Sequence, residues 1–316
     1  MRHLAKPRRL LATLAVLGLV LAACGNGEGG ETTTTGSPTT TGSTMAASTT
    51  TAAPMTTTTA AVTTTTAPAE TTSHVVYFML EDLDVEDGSP GPFLVPVYRD
   101  ASGSGIETVV DLLLQGPTED EMSGTPMIST AIPEGTSLLG VTIEAGVGAI
   151  DLSGAFDDGG GSLAMFARLA QVVYTMTRLP EVDEVVFSID GEPVTVFSSE
   201  GIELDGPQER DDYYDLLPPI FVDSPAWGEP VTSPVHVRGL SNVFEATSQV
   251  MLTDDDGLSL FEDHVTATCG TGCWGEWEAE IPYTLDREQF GSLIVWESSA
   301  RDGSQVNIRE YPIILR

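Results

Sequence analysis

Lysine is almost absent from this chain of 316 residues. Lys6 is the only lysine, and lysine and arginine together number 13 against 47 aspartates and glutamates, so the formal net charge is −34 at pH 7. Such a surface repels the phosphates of nucleic acids and of anionic lipid headgroups. We therefore expect no nucleic-acid partner. Acidic side chains are also too numerous for any pair to be identified as catalytic from residue type alone.

The sequence also lacks a long hydrophobic run. Its longest mainly apolar stretch, residues 10–23, has 14 residues and includes one polar residue, Thr13, whereas a helix that spans a bilayer needs about 20. Four basic residues precede this stretch, and small residues end it. Because this combination is typical of an export signal, we predict a signal peptide over residues 1–23. Its removal would leave nine arginines, no lysine and a net charge of −38.

Cysteine is scarce as well. The chain contains three: Cys24, Cys269 and Cys273. Cys24 follows "LAA" at positions 21–23 and precedes Gly25, and this short run resembles the lipobox of bacterial lipoproteins. The position at the end of the signal peptide and the polar stretch that follows both agree with that resemblance.

The resemblance implies that the signal is removed before Cys24, that the sulfur of Cys24 is acylated, for example by palmitate, and that the new amino terminus is usually acylated too. Several acyl chains hold a protein firmly on a bilayer, whereas one chain alone binds only marginally. We therefore expect a lipid anchor on the extracytoplasmic face of the cell membrane. An ordinary signal peptide with an incidental cysteine is the alternative.

The two remaining cysteines form an even pair. In an exported and therefore oxidising setting, this favours a disulfide between Cys269 and Cys273. Together with His264 they could also supply three zinc ligands, so a zinc site is the alternative. The sequence shows no evident fourth ligand, and we predict neither a metal nor a cofactor.

Residues 24–73 consist almost entirely of Thr, Ala, Gly, Ser and Pro. Such a composition cannot bury enough apolar surface to offset the loss of chain entropy on folding. We predict a disordered linker that holds the folded part away from the membrane.

The next segment, 74–204, predicts an α+β domain. An S-x-x-E pattern at Ser104 and Glu107 predicts a capping box that opens a first helix. Gly116-Pro117 ends this helix, and residues 162–179 predict a second one. Strands are predicted at 74–80, 93–99, 137–143, 148–153 and in a hairpin over 184–197 that turns at Asp190-Gly191.

A polar stretch bounded by proline, 205–218, predicts a linker between two domains. Beyond it, residues 219–316 contain only strand signals. Seven short strands are predicted at 220–224, 234–239, 245–253, 258–267, 274–283, 292–299 and 306–315. Strands of this number and spacing favour an immunoglobulin-like β-sandwich.

The first folded segment resembles the GerMN domain of bacterial sporulation and germination proteins. The likeness covers about residues 75–200 and depends on "LLLQGPTEDEMSGTPMISTAIPEGTSL" and "ARLAQVVYTMTRLPEVDEVVFSIDG". The second segment resembles the immunoglobulin-like domain that accompanies GerMN domains, through "PPIFVDSPAWGEPVTSPVHVRGLSNVFEATSQVMLTDDDG" and "WESSARDG". The resemblance implies an envelope or spore-coat protein that binds other proteins or wall material, in a family with no established catalytic residues.

No catalytic grouping stands out in the residues themselves. Asp254, Asp255 and Asp256 before Gly257 favour a hairpin turn, since the EF-hand pattern needs an acid or amide where Leu252 stands. Two or three of the four tryptophans are expected in the sandwich core, with a sugar-stacking platform as the alternative. We expect a non-catalytic binding or scaffold module in the cell envelope, whose partner is an envelope protein or a cell-wall polymer. The alternatives are a carbohydrate- or solute-binding lipoprotein and an envelope hydrolase.

Overall fold

The structure is a computed structural model that describes residues 71–81 and 91–316. The predicted signal peptide, Cys24 and the predicted linker up to residue 70 lie outside the described residues. Both folded domains lie within one compact unit, Thr65–Arg316. Among the described helices, none is long and apolar enough to cross a membrane.

The first domain has the predicted α+β architecture. In chain order its elements are β1 (Thr71–Glu81), β2 (Phe93–Ser102), α1 (Ile106–Leu114), α2 (Glu119–Ser123), β3 (Met127–Ser129), β4 (Leu138–Glu144), β5 (Val147–Leu152), α3 (Ser162–Met176), β6 (Glu184–Ile189), β7 (Glu192–Pro193), β8 (Val196–Phe197) and β9 (Ile202–Glu203). They form sheets of order β2-β1-β3, β4-β5-β6-β7 and β8-β9. Strand β1 begins at Thr71, so residues 71–73, which the sequence assigned to the linker, belong to a strand.

Helix α3 is the centre of this domain. Eleven of its fifteen residues are buried, as expected for a helix with apolar residues nearly all around. It packs on β1, where the side chain of Gln171 donates to the carbonyl of Tyr77 and the Thr175 hydroxyl accepts from the amide of Tyr77. Arg168 donates to three backbone carbonyls, those of Ala131, Phe156 and Gly159. The helix therefore fixes both the central strand and the surrounding loops.

The second domain is the predicted β-sandwich. Its strands are β10 (Ile220–Ser224), β11 (Pro230–Val231), β12 (Val235–Ser241), β13 (Thr247–Thr253), β14 (Ser259–Thr266), β15 (Gly275–Ile281), β16 (Gln289–Ser298) and β17 (Gln305–Leu315). One sheet has the order β10-β12-β15 and the other β11-β17-β16-β13-β14. Burial alternates along β12, where Val235 and Val237 point into the core and His236 and Arg238 point outward.

The helix starts differ from the sequence prediction. The capping box at Ser104 and Glu107 is wrong: α1 begins at Ile106 with Gly105 as its N-cap, and no side chain caps it. Because the helix starts one residue later than predicted, the Ser104 hydroxyl lies one position too early for this role. A capping box instead forms at Thr118 and Glu121, at the start of α2.

Two predicted turns are confirmed. Asp190 and Gly191 both have positive φ, 51° and 83°, as the tightest hairpin turn requires. Between β13 and β14, the carboxylate of Asp254 accepts from the amides of Asp256 and Leu258 at 3.0 and 2.8 Å. That carboxylate therefore serves the turn.

The segment 205–218 is packed rather than extended between the domains. Backbone hydrogen bonds join Gln208 to Val185 at 3.0 and 2.8 Å, and a 3-10 helix, Arg210–Leu216, follows. Tyr213 and Leu216 are buried. A stretch that reads as a polar linker is therefore part of the contact between the two domains.

Candidate functional site at the domain junction

The junction is built on three aromatic rings. Tyr77 from β1 and Tyr174 from α3 meet edge to face with their ring centroids 5.3 Å apart, and Tyr174 meets Phe221 of β10 at 6.1 Å. All three side chains are fully buried. Aromatic pairs in such geometry stabilise beyond the burial of their area. The junction therefore contains a buried aromatic cluster to which both domains contribute.

Asp223 of β10 lies beside this aromatic cluster. Its carboxylate accepts hydrogen bonds from the first domain and from the segment between the domains. The Tyr77 hydroxyl and Arg210 Nη1 donate to its Oδ1, the latter at 3.0 Å, and Arg178 Nη1 donates to its Oδ2 at 2.7 Å. Arg210 is itself held, because its Nε donates to the Thr177 hydroxyl at 2.8 Å. One carboxylate of the second domain is thus tied to three groups that precede it in the chain.

The junction shifts the ionisation of its groups. Burial by itself disfavours the charged form of Asp223, but Arg210 and Arg178 outweigh it and hold the pKa of the carboxyl below its ordinary value. Burial raises the pKa of Tyr77 to about 12, so its phenol stays neutral and can donate to Asp223. The arrangement at neutral pH is therefore a charged carboxylate with neutral phenol and cationic guanidinium donors.

Arg238 of β12 approaches the same carboxylate without a hydrogen bond. Its Nη2 lies 3.6 Å from Asp223 Oδ2, and its side chain is 53% exposed. Glu278 of β15 is its partner in the β-sheet register and lies on the same outer face. Glu276, two residues earlier, shares that face.

A cleft of about 750 Å³ opens beside the cluster, in the size range of sites for small molecules. Its lining includes residues of both domains: Arg178, Tyr214, Arg238, Thr266, Glu276 and Glu278. Three of the nine arginines of the expected mature chain, Arg178, Arg210 and Arg238, lie along it. The cleft therefore brings three of the scarce arginines together with three acids, Asp223, Glu276 and Glu278.

The sequence did not single out this cluster. Its members are distant in the chain, with Tyr77 and Asp223 separated by 146 positions. Two signals were available: the scarcity of arginine, which makes each one informative, and an aspartate within the otherwise apolar strand "IFVDS". Neither signal indicates which arginine meets which acid.

The cysteine pair lies in the loop between β14 and β15. The sulfur atoms of Cys269 and Cys273 lie within bonding distance, and their Cα atoms are 5.9 Å apart, a separation that suits a disulfide. The side chain of His264 is 63% exposed and lies 3.1 Å from Asp263. Within the described residues, no group of three or more His, Cys, Asp or Glu side chains is arranged to hold a metal.

We expect non-reducing peptide mapping of exported protein to recover Cys269 and Cys273 in one bridged peptide. The physical reason is the oxidising compartment that the export signal implies. Metal analysis of the same sample should find no stoichiometric zinc. Two free thiols with one zinc per chain would instead support the metal alternative.

The tryptophans do not form an exposed platform. Trp277 and Trp296 are buried, as predicted for sandwich core. Trp277 alternates with the exposed Glu276 and Glu278, which places its ring on the inner face of the sheet. Trp274 precedes β15 and packs against Tyr214 with ring centroids 5.5 Å apart.

Two family models match this chain. Residues 75–195 match the family of sporulation and spore germination, Germane, and residues 219–304 match the immunoglobulin-like domain of bacterial spore germination, Gmad2. The chain combines these two germination-associated domains. Both predicted resemblances are confirmed, and the protein is a module related to sporulation or germination. No curated protein matches the chain.

Solved structures give more distant likenesses. The tandem GerMN domains of the sporulation protein GerM from Bacillus subtilis are 15% identical, with 69% of this chain and 63% of that chain covered at a TM-score of 0.38. The first of those domains alone is 16% identical over 45% of this chain and 99% of that one, at 0.34. A protein from Clostridium perfringens described as a lipoprotein is 20% identical over 46% of this chain and 93% of that one, at 0.31.

Proposed function

We propose that this protein is a membrane-anchored extracytoplasmic lipoprotein that acts as a non-catalytic binding or scaffold module in the cell envelope, in sporulation or germination. The observation that carries the proposal is the junction at Asp223. It joins two germination-associated domains through one partly buried carboxylate, so they would offer a partner one composite surface. The partner would be an envelope protein or a cell-wall polymer.

The chemistry of the junction supports a binding role. Both oxygens of Asp223 already accept hydrogen bonds, and Arg210 is held by Thr177 and Asp223. A general base needs a lone pair within reach of a substrate proton, and these groups are engaged in joining the domains. His74 is likewise occupied, with its Nε2 2.9 Å from the carbonyl of Gly103.

Two other functions remain as outcomes of the tests. A solute-binding lipoprotein is supported by the size of the cleft, although the buried positions of Trp277 and Trp296 speak against sugar stacking on them. An envelope hydrolase would require a reactive side chain whose replacement abolishes turnover.

The proposal is tested by capture from native envelope. Residues 65–316, the compact unit, should retain a specific envelope protein or wall polymer after crosslinking, and should leave it chemically unchanged. The two domains together should retain more than either alone, because linked sites raise the effective concentration of the second contact. Added salt should weaken capture of a cationic partner, since the surface is strongly acidic.

The control is the same fragment split at residue 205 into separate domains. Capture by one domain as strong as capture by both would contradict the composite surface. Hydrolysis of peptidoglycan or peptide by the purified fragment, abolished by one Glu or Ser substitution, would replace the binding role with an enzymatic one.

A further inference from the structure

The cleft at the junction contains charged groups that the fold does not use. Within the described residues, Arg238 has one polar contact, the 3.6 Å approach to Asp223. Arg178 uses Nη1 to reach Asp223, and the structure gives its remaining guanidinium nitrogens no partner among those residues. At least two guanidinium groups that line the cleft therefore retain donors without a partner among the described residues.

The opposite charge lines the same cleft. Glu276 and Glu278 lie two residues apart on the outer face of β15 and are exposed. In the described part of the chain, their side chains make no hydrogen bond or ion pair, although Glu278 is the register neighbour of Arg238. Arg238 instead turns toward Asp223. The cleft therefore presents positive groups and two glutamates that form no ion pair with each other among the described residues.

This charge arrangement selects the ligand. A simple anion would meet repulsion from Glu276 and Glu278, and a simple cation would meet repulsion from Arg178 and Arg238. A ligand that carries both charges is complementary to both sides, since opposite charges across an interface favour one orientation. A zwitterion is also neutral overall, so the large negative charge of the protein does not oppose its approach.

The size of the cleft sets the scale of the ligand. About 750 Å³ lies well inside the range for ligands of drug size, which corresponds to a few amino-acid residues. We propose that the cleft binds the free ends of a short peptide, with the carboxylate at Arg178 and Arg238 and the ammonium group at Glu276 and Glu278. The inference rests on the proposed binding function and names the chemistry of one ligand.

The same chemistry has two sources. A peptide with free amino and carboxyl groups can be soluble, or it can be the peptide part of a cell-wall polymer. Titration of a soluble trialanine and of a solubilised wall fragment with free peptide ends would distinguish them, because the correct source should bind more tightly. Binding of either one supports the cleft as the site.

The test uses the full chain, extracted in mild detergent, and isothermal titration calorimetry with trialanine. Three blocked forms of trialanine are compared: one acetylated at its amino end, one amidated at its carboxyl end, and one blocked at both ends. Each should bind at least tenfold more weakly than free trialanine, because each block removes one charge interaction. Arg238→Gln and Glu278→Gln should each weaken trialanine about tenfold, between the losses typical of exposed and buried charge pairs.

Glu280→Gln is the matched control. Glu280 is exposed on β15 two residues beyond Glu278, on the same face, and is not among the residues that line the cleft. Its replacement should leave the affinity for trialanine unchanged. Equal binding of blocked and unblocked peptides, or equal losses in Glu278→Gln and Glu280→Gln, would overturn the proposal. Absence of binding in a chain that still captures its envelope partner would overturn the cleft ligand alone and leave the proposed function standing.

Discussion

Replacing Asp223 with Asn should lower the free energy of unfolding by about 3 kcal/mol. Asp223 is 13% exposed and accepts from Tyr77, Arg178 and Arg210. The substitution keeps the shape of the side chain and removes its charge, which leaves clustered guanidinium groups without a counterion. Breaking a buried ion pair costs about 3–5 kcal/mol. We expect the lower end of this range because Arg178 and Arg210 remain partly exposed. Urea unfolding followed by circular dichroism measures it.

Asp255→Asn is the control for this experiment. Asp255 pairs with Arg287 at 2.8 Å, but the arginine is 67% exposed and the pair lies on the surface. Surface ion pairs contribute about 0–1 kcal/mol, so this variant should unfold almost as the parent does. Equal losses in the two variants would show that Asp223 has no special part in joining the domains.

The pH dependence of the difference in stability between the parent and Asp223→Asn gives an independent check. The pKa of Asp223 in the folded protein lies below the ordinary value of 3.8, because Arg210 and Arg178 outweigh the effect of burial. A carboxyl with a lowered folded pKa contributes stability that is present above the unfolded pKa and is lost as the pH falls through the folded pKa. The difference between the parent and Asp223→Asn should therefore be constant at neutral pH and should shrink below about pH 4. A difference that persists unchanged into acid would contradict the ionic origin of the effect.

Replacing Cys24 with Ala should abolish the lipid anchor. If Cys24 carries the acyl chains, the variant has no sulfur to acylate and is recovered as an unprocessed precursor or as shed protein. Several acyl chains give a firm anchor, so their loss should move nearly all of the protein out of the lipid-anchored fraction. Membrane fractionation and mass spectrometry of the N-terminal peptide measure both consequences.

The double variant Cys269→Ser, Cys273→Ser is the matched control for the anchor. It removes the other two thiols of the chain and should leave the protein acylated on the membrane. An intact wild-type protein whose N-terminus begins at another residue, without acylation, would refute the assignment of Cys24.

The strand and turn pattern could be predicted from the sequence because it is local. Burial along β12 alternates with period two, so hydrophobicity alone indicated a half-buried strand. The turn at Asp190 and Gly191 needs positive φ at both positions, which few residue types tolerate. Such local features were enough to predict the division into two domains and the fold class of each. The family matches agree with that division.

The start of α1 could not be predicted in this way. Ser104 and Glu107 have the spacing of a capping box, yet Gly105 is the N-cap and the helix begins at Ile106. The better-formed box, at Thr118 and Glu121, also has a tertiary partner, since Arg99 donates to both oxygens of Glu121 at 2.8 and 2.6 Å. Tertiary packing thus decided where the caps formed.

The junction was decided by the tertiary structure alone. Asp223 reads as a polar residue in a strand, and Arg210 reads as part of a polar linker, because a local pattern reports only neighbours within a turn or a strand. Tyr77 lies 146 positions from Asp223, and the two meet where β1, packed on α3, lies beside the sandwich. The sequence by itself determined two domains of known type, and it predicts a lipid anchor. Folding brought the scarce arginines to one carboxylate, because the contacts that select ionic partners form between surfaces that exist only once both cores are packed.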